Sequence, residues 1–265
     1  MEFEGASQYR GPMVYELAGR SFYLVMDDGG EGLLSFVTGE SLIWSPIEGP
    51  QTCQRCDCLK ADEDTYLVNL EVTGAEPRTG VTLVLDCEQS LVTAVIARQG
   101  TNRRYPEMVT NEIIFGAIKN SGTALPKKRH GFTGDLTGLR ITWRYSPEVG
   151  MTHVYYCPHY IRAAFPGQNT IVSDPAGGHP YDENCAYVKI KEHIYLVSFL
   201  ENNMTIQGGI GNNMLILMNT ARLHDVGRSF GLHRDRTPEN YMFSAIGAWA
   251  ESDGGIEAAP SKYRV

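Results

Sequence analysis

Short runs rich in Val, Ile, Tyr, Phe and Thr recur roughly every 8 to 12 residues and are separated by Gly, Asp, Asn or Pro. This spacing is typical of an all-β chain, and helical periodicity is nearly absent. The runs in the first half are SFYLVMDD, EGLLSFVT, SLIWSPI, TCQRCDCLK, TYLVNLEV, VTLVLDCE, LVTAVIAR and NEIIFGAI; those in the second are LRITWRYS, THVYYCP, YIRAAF, CAYVKIK, HIYLVSFLE, MLILMNT, RLHDVGRSF and MFSAIGAW. The pattern therefore predicts eight strands in each half.

The two sets of strands are related by an internal repeat. Leu-Ala-Gly at 17–19 returns as Leu-Thr-Gly at 136–138, and TYLVNLE around Tyr66 returns as IYLVSFLE around Tyr195. TLVLD, which ends at residue 86, likewise returns as LILMN, which ends at residue 219. Eight sequential strands suit an up-and-down barrel, which closes on itself and encloses room for a small ligand. The sequence thus predicts two tandem antiparallel β-barrels of about eight strands each, related by internal duplication.

The domain boundaries follow from the same pattern. We expect an N-terminal barrel over residues 1–121, a polar linker over 122–130 and a C-terminal barrel over 131–265. The second copy carries roughly ten additional residues in FPGQNTIVSDPAGGHPYDEN, whose Pro and Gly content predicts a loop. Such a long loop is either a lid or rim over a site or a tolerated surface insertion.

Composition and charge narrow the function classes. The net charge of -8 argues against a nucleic-acid partner, which needs surplus Lys and Arg. The chain contains no run of 18 apolar residues of the kind that spans a membrane. Its first ten residues, MEFEGASQYR, lack the apolar h-region of a secretory signal peptide. We therefore expect a cytoplasmic protein with free thiols. The charge is uneven, at -9 over residues 1–125 and +1 over 126–265, and all seven histidines lie in the second part.

The segment TCQRCDC at 52–58 has the Cys-x-x-Cys spacing of a zinc site. It occupies the fourth strand position of the first repeat, however. In an extended strand Cys56 and Cys58 share one face and Cys53 takes the other, so the three thiols do not converge. The segment predicts a β-strand and no metal site, with Cys87 the only other cysteine in that half.

Several of these runs resemble a known family. LAGRSFYLVMDDG, SLIW, TYLVNL and VTLVLDCEQSLVTAVIAR resemble the N-terminal domain of MoaF-like proteins. LTGLRITWRYSPE, THVYY, CAYVKIKEHIYLVSFLE and DVGRSFG resemble the C-terminal domain of that family. The resemblance implies two lipocalin-like barrels, a fold also used by phenolic acid decarboxylases and lipocalin-like cyclases. The chain departs from the family pattern after THVYY, where it has Ile161, Arg162, Ala163 and Ala164, which implies a reshaped pocket.

Candidate chemistry concentrates in MTHVYYCPHYIR, residues 151–162. Alternation along a strand places His153, Tyr155 and Cys157 on one face. If that face is the lumen, His153 is a general acid or base and Tyr155 can polarise a carbonyl or phenol by hydrogen bonding. The alternative is that Tyr and His occur there for strand propensity and cross-strand packing alone.

Other residues extend this candidate site. Glu201, which matches a glutamate of the family pattern, could hold one tautomer of His153 or act as a base if burial raises its pKa. Equally, it could be a solvated residue in a turn. Arg144 and Arg162 could bind a substrate carboxylate, or be surface charges, and Tyr160 joins them as a substrate-binding candidate. Trp143 is a further candidate, although a Trp in an apolar strand is more often a core residue.

Three hypotheses follow. The first is an enzyme of secondary metabolism, a lyase or decarboxylase, isomerase or cyclase, that uses acid-base residues of the second barrel and no organic cofactor on an aromatic or polyketide-like molecule. The second is a non-catalytic carrier of an apolar small molecule. The third is a purely structural scaffold. We favour the enzyme, with the first barrel as scaffold or homodimer surface.

Overall fold

The computed structural model describes residues 8–103, 105–147, 149–164, 181–201, 211–233 and 235–250. Regular structure in these ranges is all β-strand, which confirms the predicted fold class. The strands are β1 (Ser21–Met26), β2 (Glu31–Phe36), β3 (Ser41–Pro46), β4 (Thr52–Lys60), β5 (Thr65–Glu71), β6 (Thr79–Asp86), β7 (Leu91–Gln99), β8 (Val109–Lys119), β9 (Gly131–Phe132), β10 (Leu139–Arg144), β11 (Gly150–Cys157), β12 (Tyr160–Ala164), β13 (Tyr181–Lys191), β14 (Ile194–Leu200), β15 (Asn213–Asn219), β16 (His224–Leu232) and β17 (Pro238–Trp249). Among the described residues, no helix is long and apolar enough to cross a membrane.

The first eight strands form a closed antiparallel barrel. Each strand pairs with the next along the chain, and β8 returns to β1, with Leu24 opposite Ile118. Closure pairs both edges of the sheet, so neither edge strand is left exposed. Side chains from alternate positions fill the lumen, and they are almost all apolar: Leu17, Phe22, Leu24, Leu34, Phe36, Leu42, Cys56, Cys58, Tyr66, Val68, Leu70, Leu83, Leu85, Val92, Ala94 and Ile118.

Strands β10 to β17 form a second closed antiparallel barrel. Its strands also pair in chain order, and β17 returns to β10, with Trp143 opposite Gly247. The pairing of β12 with β13, including Ile161 opposite Glu183, completes the ring. The short strand β9 lies beside β13 and is the only described strand outside the predicted sixteen. The predicted architecture of two eight-stranded barrels in tandem is therefore confirmed.

The predicted repeat has a structural counterpart where each barrel begins. Leu17 and Leu136 are both buried in the core of their barrel. The glycine two residues later has a positive φ in each case, 78° at Gly19 and 89° at Gly138, which a residue with a Cβ adopts only under strain. Each Leu carbonyl accepts a hydrogen bond from the third residue after it, at 2.9 Å in both barrels. The same turn thus inserts a Leu plug into both lumens.

The residues around the plug are also duplicated. Just before the plug, Glu16 lies 2.5 Å from the ammonium of Lys60, and the Tyr66 hydroxyl donates a hydrogen bond to the same carboxylate. In the second barrel Asp135 takes this place, 2.7 Å from Lys189 Nζ and 3.4 Å from the hydroxyl of Tyr195. An acid, a lysine and a tyrosine therefore close the same end of each barrel.

The cysteine-rich segment is strand β4, as its position in the repeat predicts. Cys56 and Cys58 are buried in the barrel core, whereas Cys53 on the other face is exposed. Burial raises the pKa of the Cys56 thiol to about 12, so this thiol is protonated and apolar in character at neutral pH. Within the described residues, no three His, Cys, Asp or Glu side chains are arranged to hold a metal ion.

The described chain divides into two compact units. One comprises residues 11–131, and the other comprises the chain from residue 132 onward together with residues 8–10. His130, at the end of the predicted linker, belongs to the first unit, where its Nδ1 lies 2.8 Å from Thr93 Oγ1 and its Nε2 lies 3.5 Å from Asp86 Oδ2. The loop predicted as a lid or rim covers residues 165–184, of which residues 165–180 lie outside the described ranges. Residues 181–184 belong to strand β13, so the prediction of a loop is wrong for them.

Candidate active site in the second barrel

The two lumens differ in chemistry at equivalent positions. The hydrogen bond from Gly19 N to Phe36 O corresponds to the bond from Gly138 N to Tyr155 O, so Phe36 and Tyr155 are equivalent. By the same register, His153 takes the place of Leu34, and Trp143 takes the place of Leu24. Polar groups thus replace apolar ones in the second lumen only.

Three of these residues form a hydrogen-bonded chain inside the second barrel. The Trp143 indole donates its Nε1 hydrogen to the hydroxyl oxygen of Tyr155 at 3.1 Å. That hydroxyl lies 3.5 Å from Nδ1 of His153. An indole can only donate, so the Tyr155 hydrogen is available to His153 Nδ1. This arrangement favours the His153 tautomer that carries its hydrogen on Nε2.

The environment of His153 keeps its ring neutral. The side chain is 1% exposed, and Nε2 has no hydrogen-bond partner among the described residues. Burial lowers the pKa of His153 to about 3, because the low-dielectric surroundings penalise the charged imidazolium. The ring therefore presents a neutral N–H donor, and a buried donor without a partner is costly unless a ligand satisfies it.

A narrow pocket opens next to His153. About 360 Å³ of atom-free space surrounds this opening, a volume that includes open solvent, and the pocket walls are mainly aromatic and apolar. The lining residues are Tyr145, Met151, His153, Phe199, Glu201, Met214, Tyr241 and Phe243. The Tyr145 and Phe243 rings meet edge to face with centroids 5.5 Å apart. An apolar wall with a few polar groups is typical of a small-molecule site.

Glu201 supplies the titratable group of this pocket. It follows β14 directly, and its backbone N–H donates to the Asn212 carbonyl at 2.9 Å, which fixes the end of the strand. Burial raises the pKa of Glu201 to about 8, with further increases from the charges of Glu239 and Glu183. This carboxyl therefore exchanges its proton near neutral pH, as an acid-base group must.

The structure adds a residue that the sequence analysis missed. Asp225 on β16 is completely buried, opposite the core residues Met218 and Ala245. Its Oδ1 accepts the Ala245 N–H at 2.7 Å, while Oδ2 has no partner among the described residues. Burial raises the pKa of Asp225 well above its ordinary value. The sequence did indicate that position 225 is buried, because the internal repeat aligns Asp225 with Val92, a buried residue of the first barrel.

Three predicted substrate-binding residues lie elsewhere. Arg144 is exposed and follows Trp143, so it points away from the lumen. Tyr160 is 43% exposed and stacks on Tyr156 with ring centroids 6.4 Å apart. Arg162 lies over the same Tyr156 ring at 5.6 Å. These residues lie on the outer surface and do not join the pocket.

The remaining predicted residues come together in the barrel interior. His153 and Glu201 line the pocket, and Tyr155 and Trp143 lie behind His153. Trp143 is fully buried and packs against Gly247, where an added Cβ would lie 2.6 Å from the indole ring. The described partner of His153 Nδ1 is Tyr155, whereas the sequence suggested Glu201 for that role.

Comparison with known proteins identifies the family. A search of curated proteins gives no significant match. The family model of the MoaF N-terminal domain matches residues 3–100, and that of the MoaF C-terminal domain matches residues 130–252. The two domains match in order and span most of the chain, including the candidate site in the second barrel. The protein therefore belongs to the MoaF family.

Proposed function

We propose that this protein is a cytoplasmic, cofactor-independent enzyme that performs acid-base chemistry on a small aromatic or polyketide-like molecule in the second barrel. The reaction would be that of a lyase, isomerase or cyclase. One observation carries the proposal: the pocket combines a neutral donor, His153 Nε2, which has no hydrogen-bond partner among the described residues, with a carboxyl group whose pKa is raised to about 8. Such perturbed groups are concentrated at functional sites.

Each residue of the candidate site has a separate role in the proposed reaction. The Glu201 carboxylate removes a proton from a carbon next to a ligand carbonyl; the electron pair of the broken C–H bond forms a C=C bond to the carbonyl carbon, and the carbonyl π pair moves onto the oxygen to give an enolate. His153 donates a hydrogen bond from Nε2 to that oxygen and stabilises its growing charge. Glu201 then returns the proton to the same or another carbon. Tyr155 and Trp143 are positioning residues, because they act on the ligand only through His153.

This assignment changes the role expected for His153. A solvated imidazole near pH 7 would serve as a general base, but the pKa of His153 is lowered to about 3 by burial. A ring that stays neutral during the reaction is suited to donating a hydrogen bond to a developing oxyanion. Glu201 is therefore the acid-base residue of the proposal.

The carrier hypothesis also has an observation in its favour. Six of the eight pocket-lining side chains are aromatic or Met, which suits the burial of an apolar ligand without reaction. A carrier would need neither the raised pKa of Glu201 nor a fixed tautomer of His153. The two functions are therefore separated by whether proton transfer to a bound ligand occurs.

Deuterium exchange tests the proposal without knowledge of the natural substrate. A panel of small aromatic ketones, phenylacetone among them, would be incubated with the protein in D₂O and followed by proton NMR. We expect the wild type to accelerate exchange next to the carbonyl and Glu201→Gln to lose this acceleration. Glu192→Gln, which removes a charge from an exposed position of the same barrel, should leave it unchanged.

Saturation-transfer NMR on the same panel separates the two functions. Ketones that bind in the pocket and exchange no faster than in buffer would favour a carrier over an enzyme. Exchange that survives in Glu201→Gln would show that another group is the base.

A further inference from the structure

Tyr145 is a pocket residue to which the proposed reaction gives no role. Its side chain lines the pocket together with His153 and Glu201 and is 7% exposed. It follows Trp143 by two residues and belongs to the same lumen core, so in the repeat it takes the place of Met26 of the first barrel. A thioether beside the filled lumen is thus replaced by a phenol that faces a pocket.

Backbone and ring contacts fix the position of Tyr145. Its N–H donates to the Val149 carbonyl at 2.9 Å across the turn that joins β10 to β11, and its carbonyl accepts the Tyr9 N–H at 3.2 Å. The ring packs edge to face against Phe243, with an interplanar angle of 76°. Both hydrogen bonds are made by the backbone, so the side-chain hydroxyl is not what holds the turn.

The Tyr145 hydroxyl lies among the polar groups of the lumen. Burial is the main cause that raises the pKa of Tyr145 well above its ordinary value, and smaller contributions come from Asp225, Tyr155, Tyr241 and Glu201. Such electrostatic effects weaken with distance, so the hydroxyl is close to these groups. The phenol keeps its proton at neutral pH and is a neutral O–H donor.

Two neutral donors therefore face one pocket. His153 offers Nε2–H, which has no hydrogen-bond partner within the part of the chain that the structure describes, and Tyr145 offers its hydroxyl. A carbonyl oxygen has two lone pairs and can accept from both donors. Fixed donors of this kind stabilise charge that develops on an oxygen, and they do so more strongly where water is excluded.

We propose that Tyr145 is a further catalytic residue, which donates a second hydrogen bond to the ligand oxygen that His153 holds and so stabilises the enolate. This inference rests on the proposed function for the identity of the site. The phenol keeps its proton throughout, and Glu201 remains the acid-base residue. A ligand without an oxygen acceptor would leave both donors unsatisfied, so the site selects carbonyl or phenol compounds.

The first test removes the hydroxyl and keeps the ring that packs against Phe243. We expect Tyr145→Phe to lower kcat for ketone exchange by roughly 100-fold, the usual cost of losing one oxyanion donor, and to change KM by no more than a few fold. The hydrogen bond strengthens as charge develops on the oxygen, so the loss should fall on kcat. Tyr15→Phe, which removes a hydroxyl from an exposed tyrosine of the first barrel, should exchange as the wild type does.

The second test measures the binding of an oxyanion and needs no turnover. p-Nitrophenol is titrated with base in the presence of Glu201→Gln, in which no carboxylate at position 201 repels the phenolate, and visible absorbance measures the ionised form. We expect the midpoint for the bound phenol to lie below that of the free phenol. Adding Tyr145→Phe to this variant should raise the midpoint by about 1 pH unit, which corresponds to ten-fold weaker binding of the phenolate.

The inference fails if Tyr145→Phe exchanges at the wild-type rate, or if its defect is confined to KM, since a residue that only shapes the pocket would have that effect. It also fails if p-nitrophenol does not bind, or if its midpoint is the same with and without the Tyr145 hydroxyl. Thermal melting would first show that each variant is folded.

Failure of this inference can be told apart from failure of the proposed function. Exchange that is lost in Glu201→Gln and retained in Tyr145→Phe would support the proposed function and reject the role of Tyr145. A protein that exchanges no ketone but ionises bound p-nitrophenol through Tyr145 would lose the proposed function and retain the two-donor site.

Discussion

At the scale of single residues, the second lumen depends on groups whose ionisation is set by burial. Burial keeps His153 neutral, raises the pKa of Asp225 well above its ordinary value and raises the pKa of Glu201 to about 8. Desolvation is the first cause in all three cases, because a low-dielectric interior disfavours any charged form. The same physical effect therefore produces a neutral hydrogen-bond donor at His153 and a carboxyl that titrates near neutral pH at Glu201.

The pH dependence of activity should follow the ionisation of the Glu201 carboxyl group. Because the carboxylate is the reactive form, kcat/KM for ketone exchange should rise with pH and level off above about 8. At pH 7 about a tenth of the sites would be ionised in the absence of ligand. The measurement is kcat/KM between pH 6 and 9.5, and a profile that is flat over this range, as expected for a carboxyl of ordinary pKa, would contradict the raised pKa of Glu201.

The pH dependence of stability should report the same residue independently of activity. The folded protein holds the Glu201 proton more tightly than the unfolded chain, because burial raises the pKa from its ordinary 4.5 to about 8. Its contribution to stability is therefore full below about pH 4.5 and is lost as the pH rises through 8. Urea denaturation should show that the wild type loses stability relative to Glu201→Gln between pH 5 and 8. Glu192→Gln serves as the control, and a constant difference would contradict the raised pKa.

Tyr155 can be tested as a positioning residue. Tyr155→Phe removes the acceptor of Trp143 Nε1 and the partner of His153 Nδ1, which leaves buried polar atoms unsatisfied and costs roughly 1–3 kcal/mol. We expect lower kcat and a change in the ¹⁵N shifts of the His153 ring as the tautomer is released. Tyr160→Phe on the outer surface is the matched control. Unchanged His153 shifts in Tyr155→Phe would exclude the positioning role.

At the scale of elements, the repeated Leu-x-Gly turn specifies where each barrel starts. Its glycine must adopt a left-handed conformation so that the preceding Leu enters the lumen and the strand begins in the right direction. Gly138→Ala should destabilise the protein by roughly 1–2 kcal/mol, since a Cβ disfavours that conformation. Gly134→Ala in the same connection should cost less, because its Cβ would meet only ordinary contacts at 3.6 and 3.9 Å. Equal losses of unfolding free energy would contradict the role of the turn.

Strand alternation determined most, but not all, of the side-chain directions. His153 and Tyr155 share the lumen face as the period of two predicts. The same rule places Trp143 inside and Arg144 outside, yet the sequence analysis grouped them as substrate-binding residues. Several strands are buried on both faces, β14 among them, so the hydrophobic pattern there does not identify the lumen side. Only the register with neighbouring strands shows it.

At the scale of the whole molecule, the two duplicated barrels share the same Leu-x-Gly turn but differ in the side chains of their lumens. The first is filled by Leu, Phe, Val and Cys side chains, and the second contains polar groups and a pocket. A filled lumen is suited to a structural role, whereas a lumen in which a buried donor lacks a partner within the described part of the chain is suited to a ligand. The duplicated fold therefore does not imply duplicated function.

Because the two lumens differ, we expect mutations in the first lumen to change stability and mutations in the pocket of the second to change ligand affinity. Leu85→Ala, at a fully buried position of the first lumen, should cost about 2–5 kcal/mol of stability through the cavity it creates. Exchange activity per folded molecule should stay at the wild-type level. Met214→Ala, in the pocket wall of the second barrel, should change ligand affinity instead. A loss of specific activity in Leu85→Ala at a temperature where it is folded would contradict this division.

The amino-acid sequence was sufficient for the strand content, the repeat and the two-barrel architecture, because these follow from local alternation and from turn residues such as Gly19 and Gly138. It was also sufficient to place His153 and Tyr155 on one strand face. The convergence of His153 and Glu201 on one pocket depended on barrel closure, which joins strands far apart in the chain. The ionisation of these groups likewise depended on the folded barrel, because desolvation is a property of the surrounding atoms and not of the residue itself.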